Sequence, residues 1–290
     1  STTGLPCKWS SVGTIAGVGK ADLLDVWGTS ANDMYAVGNQ GRLVLRSSAG
    51  WTNEDTGTTF SNAVFRGVGG NGKKVWIAAG LNILERTGPK AYPPVLTASG
   101  TTVLTVGAHT SSGVIATGTN GKLWIYNSTK NKFEALTLNK PVLGNLEASW
   151  GNPSLPNAWV AGDKNVYNIN PGTKMRVWHH NVTTIPTPKI SDIWSIASHV
   201  FAVSATTKGK LYHYDQKLNF KEYHLGNASG LYAVWGKASN AIWVGGTDGI
   251  WFFTGAKWTK AHNASSGQGI RAIYGFATNQ VWAVGEGGTI

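Results

Sequence analysis

One skeleton returns seven times along this chain, and that periodicity limits what the chain can fold into more than any other feature. It is clearest in LLDVWGTSANDMYAVGNQGRLVLRSSAGW from Leu23, LYAVWGKASNAIWVGGTDGIWFFTGAKW from Leu231 and IRAIYGFATNQVWAVGEGGTI from Ile270. Weaker copies begin at Ala63, Thr102, Leu146 and Ser191. Anchored on Trp27, Val68, Val106, Trp150, Trp194, Trp235 and Tyr274, the copies are spaced by 41, 38, 44, 44, 41 and 39 residues. A unit of this size cannot bury its apolar face alone, so successive units must stack on one another.

Each unit reads as four short strands. The first carries the anchor; the second carries Tyr35, Trp76, Ile115, Trp159, Phe201, Trp243 or Trp282, followed by small residues. A Gly or Asn turn leads to an alternating third strand, as in GRLVLR, GKLWIY and GKLYHY, and GWTNEDTG, KMRVWHHN and AKWTKAHN read as fourth strands. Four strands every 40 or so residues are the signature of a β-propeller blade. The expectation is an all-β, seven-bladed β-propeller with four antiparallel strands per blade, filling residues 1–290 as a single domain. The blades are placed at 23–61, 62–101, 102–143, 144–189, 190–230, 231–269, and 270–290 joined by 1–22.

That last blade is expected to be closed by an N-terminal strand. The last unit supplies three strands, ending at GGTI, and CKWSSVGTIAG matches the fourth-strand pattern of AKWTKAHNASSGQG, so residues 7–12 should pair beside 287–290. Joining the ends of such a ring costs about 5 kcal/mol in loop entropy. Burying Trp9 and its neighbours, at roughly 1.5–3 kcal/mol each, would offset it.

Composition agrees with many short elements. The 38 glycines punctuate them and the 14 tryptophans supply packing area between them. No run reaches the roughly 18–20 apolar residues of a membrane-spanning helix. A single cysteine, Cys7, excludes an internal disulfide and a Cys-based metal site. The net charge of +11 favours encounter with anionic partners.

The run DVWGTSANDMYAVGNQGRLVLRSSAGW resembles the Trp-Gly-x-Ser-x-Asn-Asp-Val-Trp-Ala-Val-Gly repeats of bacterial, often secreted or lipid-anchored, β-propeller proteins. The match is close from Asp25 to Gly41, good from Trp235 to Trp258 and from Tyr274 to Gly288, and degenerate in the middle four units. It implies a surface or secreted binding module. A weaker similarity links the Val-Trp-Gly rhythm to tachylectin- and tectonin-type propeller lectins. The Asp boxes of sialidases, the Gly-His and Trp-Asp signatures of WD40 blades and the diglycine of kelch repeats are absent.

The candidate functional residues fall into three sets. Asp25 and Asp192 on first strands, with Arg66 and Arg271 nearby, are placed at the mouth of a central channel. The turns between third and fourth strands carry Arg46, Lys90, Lys130, Lys174, Lys217 and Lys257, an interrupted basic rim suited to an anionic polymer or surface. Trp51, Trp124, Trp178, Trp251 and Trp258 are candidates for stacking on sugar rings, against the competing role of packing between blades. His179 and His180 alternate across one strand and cannot share a metal, and GVGGNGKK joins two strands rather than opening a helix, so neither a metal nor a nucleotide site is expected.

These residues point to a non-catalytic, secreted or cell-surface binding module: extracellular, surface-bound or periplasmic, with no cofactor. Its expected ligand is a carbohydrate, in a lectin-like mode, or another anionic polymer or surface. The alternatives are a protein–protein interaction scaffold or subunit of a larger assembly, and a hydrolase or lyase acting in the channel. Nucleic acid is disfavoured because no aromatic-basic motif of a known module is present.

Overall fold

The computed structural model describes residues 5, 7–13, 15–182, 188–206, 208–215 and 217–290. The described residues form six four-stranded antiparallel sheets and one two-stranded sheet, each strand hydrogen-bonded to the next in sequence. The four-stranded blades 1 to 6 span residues 23–54, 65–97, 103–135, 148–181, 190–224 and 231–263. A hairpin of Ile270–Ala277 and Gln280–Gly285 follows them. The first strands, Leu23–Ser30, Phe65–Gly70, Val103–Thr110, Ala148–Gly151, Ile190–Ile196, Leu231–Ala238 and Ile270–Ala277, pack successively into a closed ring around a central channel.

The core is a set of apolar layers between neighbouring sheets. Trp76 of blade 2 packs with Val106, Trp124 and Phe133 of blade 3, and Tyr212 and Tyr214 of blade 5 pack with Val166 of blade 4. Ala272 and Val284 of the hairpin meet Leu23, Met34 and Val44 of blade 1. Each sheet therefore buries both faces, which explains second strands such as AIWVGG that are buried at every residue.

The structure corrects the expected seven blades: six are complete, and the seventh unit is a hairpin. After Gly285 the chain enters a tight turn, Glu286–Gly288, with Gly287 at φ 64°. The same turn leads from second to third strand at Asn39–Gly41 and Thr119–Gly121, with Gln40 and Asn120 both at φ 57°. Ile290 thus stands where Leu43 and Leu123 open third strands. Among the described residues the sheet of this unit has two strands.

The expected N-terminal fourth strand is corrected too. The described residues among 7–12 are not a strand; among the described residues one backbone bond, from Val12 N–H to Ile290 O at 3.0 Å, links the two ends. The segment is held by side chains instead. Trp9 packs edge-on against Trp243 at 5.3 Å between ring centres, and Cys7 joins the same apolar layer. Ile290 is buried against Val18 and Ile15.

Candidate functional site

The channel is lined by first-strand residues, and a repeated bulge decides which. In blade 1 Leu23 pairs with Gly38 and Asp25 with Val37, leaving Leu24 extra. The same slip leaves out Arg66, Leu104, Ser191, Tyr232 and Arg271 in other units. A bulge turns its extra side chain out of the ladder, and all six of these residues line the channel of about 560 Å³.

Asp25 and Asp192 occupy the next position and share one device. The Asp25 carboxylate accepts from its neighbour Val26 N–H and from Val68 N–H of blade 2, both at 2.8 Å. Asp192 accepts likewise from Ile193 N–H and from Val234 N–H of blade 6, both at 2.8 Å. Thr105 makes the corresponding link from blade 3 to Ser149 of blade 4 at 2.6 Å. Enclosure by protein pushes both carboxyls up to about 7, against the pull of the backbone donors. Their oxygens are occupied in joining neighbouring blades, so they are seams rather than free acids or bases.

Asp25, Arg66, Asp192 and Arg271 all line this one channel. The structure changes their register. Trp27 pairs with Tyr35, but Trp76 pairs with Gly69, so Gly69 rather than Val68 is the equivalent of Trp27. Arg66 therefore aligns with Leu24 and Arg271, not with Asp25. Arg271 lies 4.0 Å above the Tyr232 ring and pairs with Glu286. Arg66 is exposed and its guanidinium has no partner among the described residues.

The basic rim divides into two groups. Arg46 is half-buried, donating to Ala31 O at 2.6 Å and lying over the Trp51 and Trp282 rings. Lys90 pairs with Asp55 and Lys130 with Glu134, each at 2.8 Å. Lys174, Lys217 and Lys257, on successive blades 4, 5 and 6, are exposed, and their ammonium groups make no contact among the described residues.

Of the candidate stacking residues, Trp51 and Trp124 are buried between blades. Trp258 stacks on Phe253, and Trp251 donates to Asp248 with Lys260 over its ring. Trp178 borders an open groove. That groove, about 410 Å³, runs between blades 4 and 5 on the face of the first-to-second-strand turns. Trp150, Trp159 and Trp178 line it with Leu155, Val177 and Leu218.

Among the described residues, four of the seven exposed large apolar side chains lie on these two blades: Leu155, Met175, Val177 and Phe220, between 40% and 56% exposed. The sequence reading used Trp150 and Trp159 as repeat markers and so overlooked them as surface. The available signal was the turn NPSLPN, which is longer than the two-residue turn of blade 1 and carries Leu155 and Pro156 outward.

No family model matches the chain, and no curated protein does. Among solved structures, it is similar to "YCF48 bound to D1 peptide", with TM-score 0.75 and 15% identity over 97% of this chain and 93% of that one. "YCF48 from Cyanidioschyzon merolae" matches with TM-score 0.74 and 14% identity, covering 98% and 97% of the two chains. The "WD40 beta propeller domain of Doa1" gives 0.73 and 11%, covering 97% and 93%. The fold is that of a β-propeller. Identities this low carry the architecture alone.

Proposed function

We propose that the protein is a non-catalytic docking module that holds a partner protein on the face bearing the first-to-second-strand turns. The observation that carries this reading is the concentration of exposed apolar side chains, Leu155, Met175, Val177 and Phe220, on two adjacent blades of a rigid ring. Exposed apolar side chains beside a formed cleft are what protein recognition uses. The similar propeller, YCF48, is described as bound to a peptide, which adds support.

A carbohydrate role draws little support, because Trp51 and Trp124, two of the indoles it would need, are taken up by packing between blades. A channel enzyme draws little either, because Asp25 and Asp192 spend their oxygens on backbone amides. The test is to probe the intact protein against a peptide array and a glycan array side by side. Saturable peptide binding at micromolar affinity, with glycans at background, supports the reading. Sugar-competable glycan binding without peptide binding overturns it.

A further inference from the structure

We infer that the groove between blades 4 and 5 receives an extended partner segment, apolar or prolyl where it meets Trp150, Trp159 and Trp178, and acidic where it passes Lys174 and Lys217. The inference rests on the docking role proposed above and names its site and the chemistry of its occupant.

The groove is a cleft of ligand size, about 410 Å³, within the range of about 300–1,000 Å³ usual for binding clefts. One wall is the turn over 152–157, with Leu155 at 47% exposed; the other is the turn at Ala197 and Ser198, both exposed, with Ser198 at φ 66°. Trp150 lines it near the axis, since it belongs to a first strand and also borders the channel. Trp178 and Val177 of a fourth strand line its outer end. The cleft therefore runs radially, from channel to rim.

Val177 owes its exposure to a bulge. Asn168 pairs with Trp178 and Ile169 with Arg176, leaving Val177 extra on the outermost strand of blade 4 at 56% exposed. Such an extra residue points away from the ladder, and here it presents a β-branched apolar side chain at the mouth of the cleft.

Hydrogen bonding favours an extended chain. The indole N–H groups of Trp150, Trp159 and Trp178 have no acceptor among the described residues, and none is sealed from solvent. An extended or polyproline-type segment has no internal hydrogen bonds, so its carbonyls are free to accept from such donors. Aromatic-lined grooves recognise these segments in this way.

Charge selects what flanks the core. Lys174 lies in the turn just before the strand carrying Val177, and Lys217 adjoins Leu218 in the groove wall. Both ammonium groups are unpaired among the described residues. An acidic flank satisfies them and is drawn by the net charge of +11. A second copy of this chain brings the same charge and the same lysines, which oppose its docking here.

The test selects randomised 12-residue peptides displayed on phage against the intact protein, then measures the recovered peptides by fluorescence anisotropy. Recovered sequences are expected to join apolar or prolyl residues to Asp or Glu on one side. Val177→Asp and Leu155→Asp, both on exposed side chains, should each weaken binding at least tenfold with an unchanged melting temperature. Lys174→Glu combined with Lys217→Glu should weaken acidic peptides tenfold and flatten their salt dependence.

Peptides that bind equally well to Val177→Asp and Leu155→Asp overturn the inference and leave the docking role standing. Recovery of no peptide above background overturns both. Concentration-dependent dimers in sedimentation, abolished by Val177→Asp, would assign the groove to a second copy and overturn the occupant proposed here.

Discussion

The Asp25 carboxylate accepts a hydrogen bond from Val68 N–H at 2.8 Å, tying blade 1 to blade 2 at the channel wall. With Val26 N–H also on this side chain, Asp25→Ala would strip the acceptor from two enclosed amides. An unpaired buried donor costs about 1–3 kcal/mol, so chemical denaturation should show a loss of about 2–5 kcal/mol. Asp192→Ala should behave alike, whereas Asp25→Asn, which keeps one acceptor oxygen, should lose less.

The same carboxyls predict a pH dependence. Raised to about 7, Asp25 and Asp192 bind protons in the folded state that the unfolded chain has released above its ordinary value of 3.8. Their contribution is greatest at acid pH and is lost as pH rises from about 4 to about 7. His213, pushed down to about 4 from 6.5 by burial and by His199 beside it, acts in the opposite sense. Its contribution is lost as pH falls through that window. Melting curves of the Asp25→Asn, Asp192→Asn double variant should therefore rise more steeply with pH between 4 and 7 than those of the native protein. An identical slope would remove the assignment.

Blades 1 and 2 are also joined farther from the axis. Arg86 donates to Glu54 through Nε at 2.9 Å and Nη2 at 2.6 Å, and Tyr92 donates its hydroxyl to the same carboxylate. The Glu54 side chain is 6% exposed and Arg86 19%. Removing one member of such a pair strands the other, so Glu54→Ala should cost about 3 kcal/mol. Arg86→Ala added to it should cost much less than a second full increment. Lys90→Ala, which breaks a pair at the open surface, should leave the denaturation midpoint unmoved.

Gly69 of blade 2 and Gly107 of blade 3 face each other backbone to backbone. A methyl group on Gly69 would lie 2.5 Å from Val106 O and 2.6 Å from Gly107 Cα, both backbone atoms that cannot swing aside. Gly69→Ala should destabilise by about 1–3 kcal/mol through overpacking, read as a lowered melting temperature. Gly72→Ala serves as a comparison: its methyl would meet nothing within 4 Å, although its φ of 82° adds local strain.

The propeller architecture was legible because the repeat is carried by residues with fixed packing roles: an aromatic on the second strand, small residues after it, a turn before the third. Register was less legible for the reason just given. The close approach of Gly69 and Gly107 excludes the aromatic anchor found at Trp27, so the pattern slid by one residue in the second unit and carried Arg66 with it. The seventh unit misled differently. CKW has the look of a fourth strand, but Trp9 is fixed by edge-on packing against Trp243 and needs no ladder.

The four charged residues could be grouped from the sequence because they fall on first strands, which ring the axis. The groove was not legible, because Trp150 and Trp159 look like every other blade-packing indole in the sequence and Trp178 reads as one of five separate stacking candidates. Only the placement of a long turn and a bulge beside them leaves these three at the surface.

Hydrogen exchange of the intact protein, with and without a saturating peptide recovered by selection, tests the docking account most directly. Protection confined to the turns over 152–157 and 195–198 and to the outer strand Met175–Asn181 is the predicted result. Protection at the opposite face, or along the channel at Arg66 and Arg271 with the groove unchanged, would contradict it.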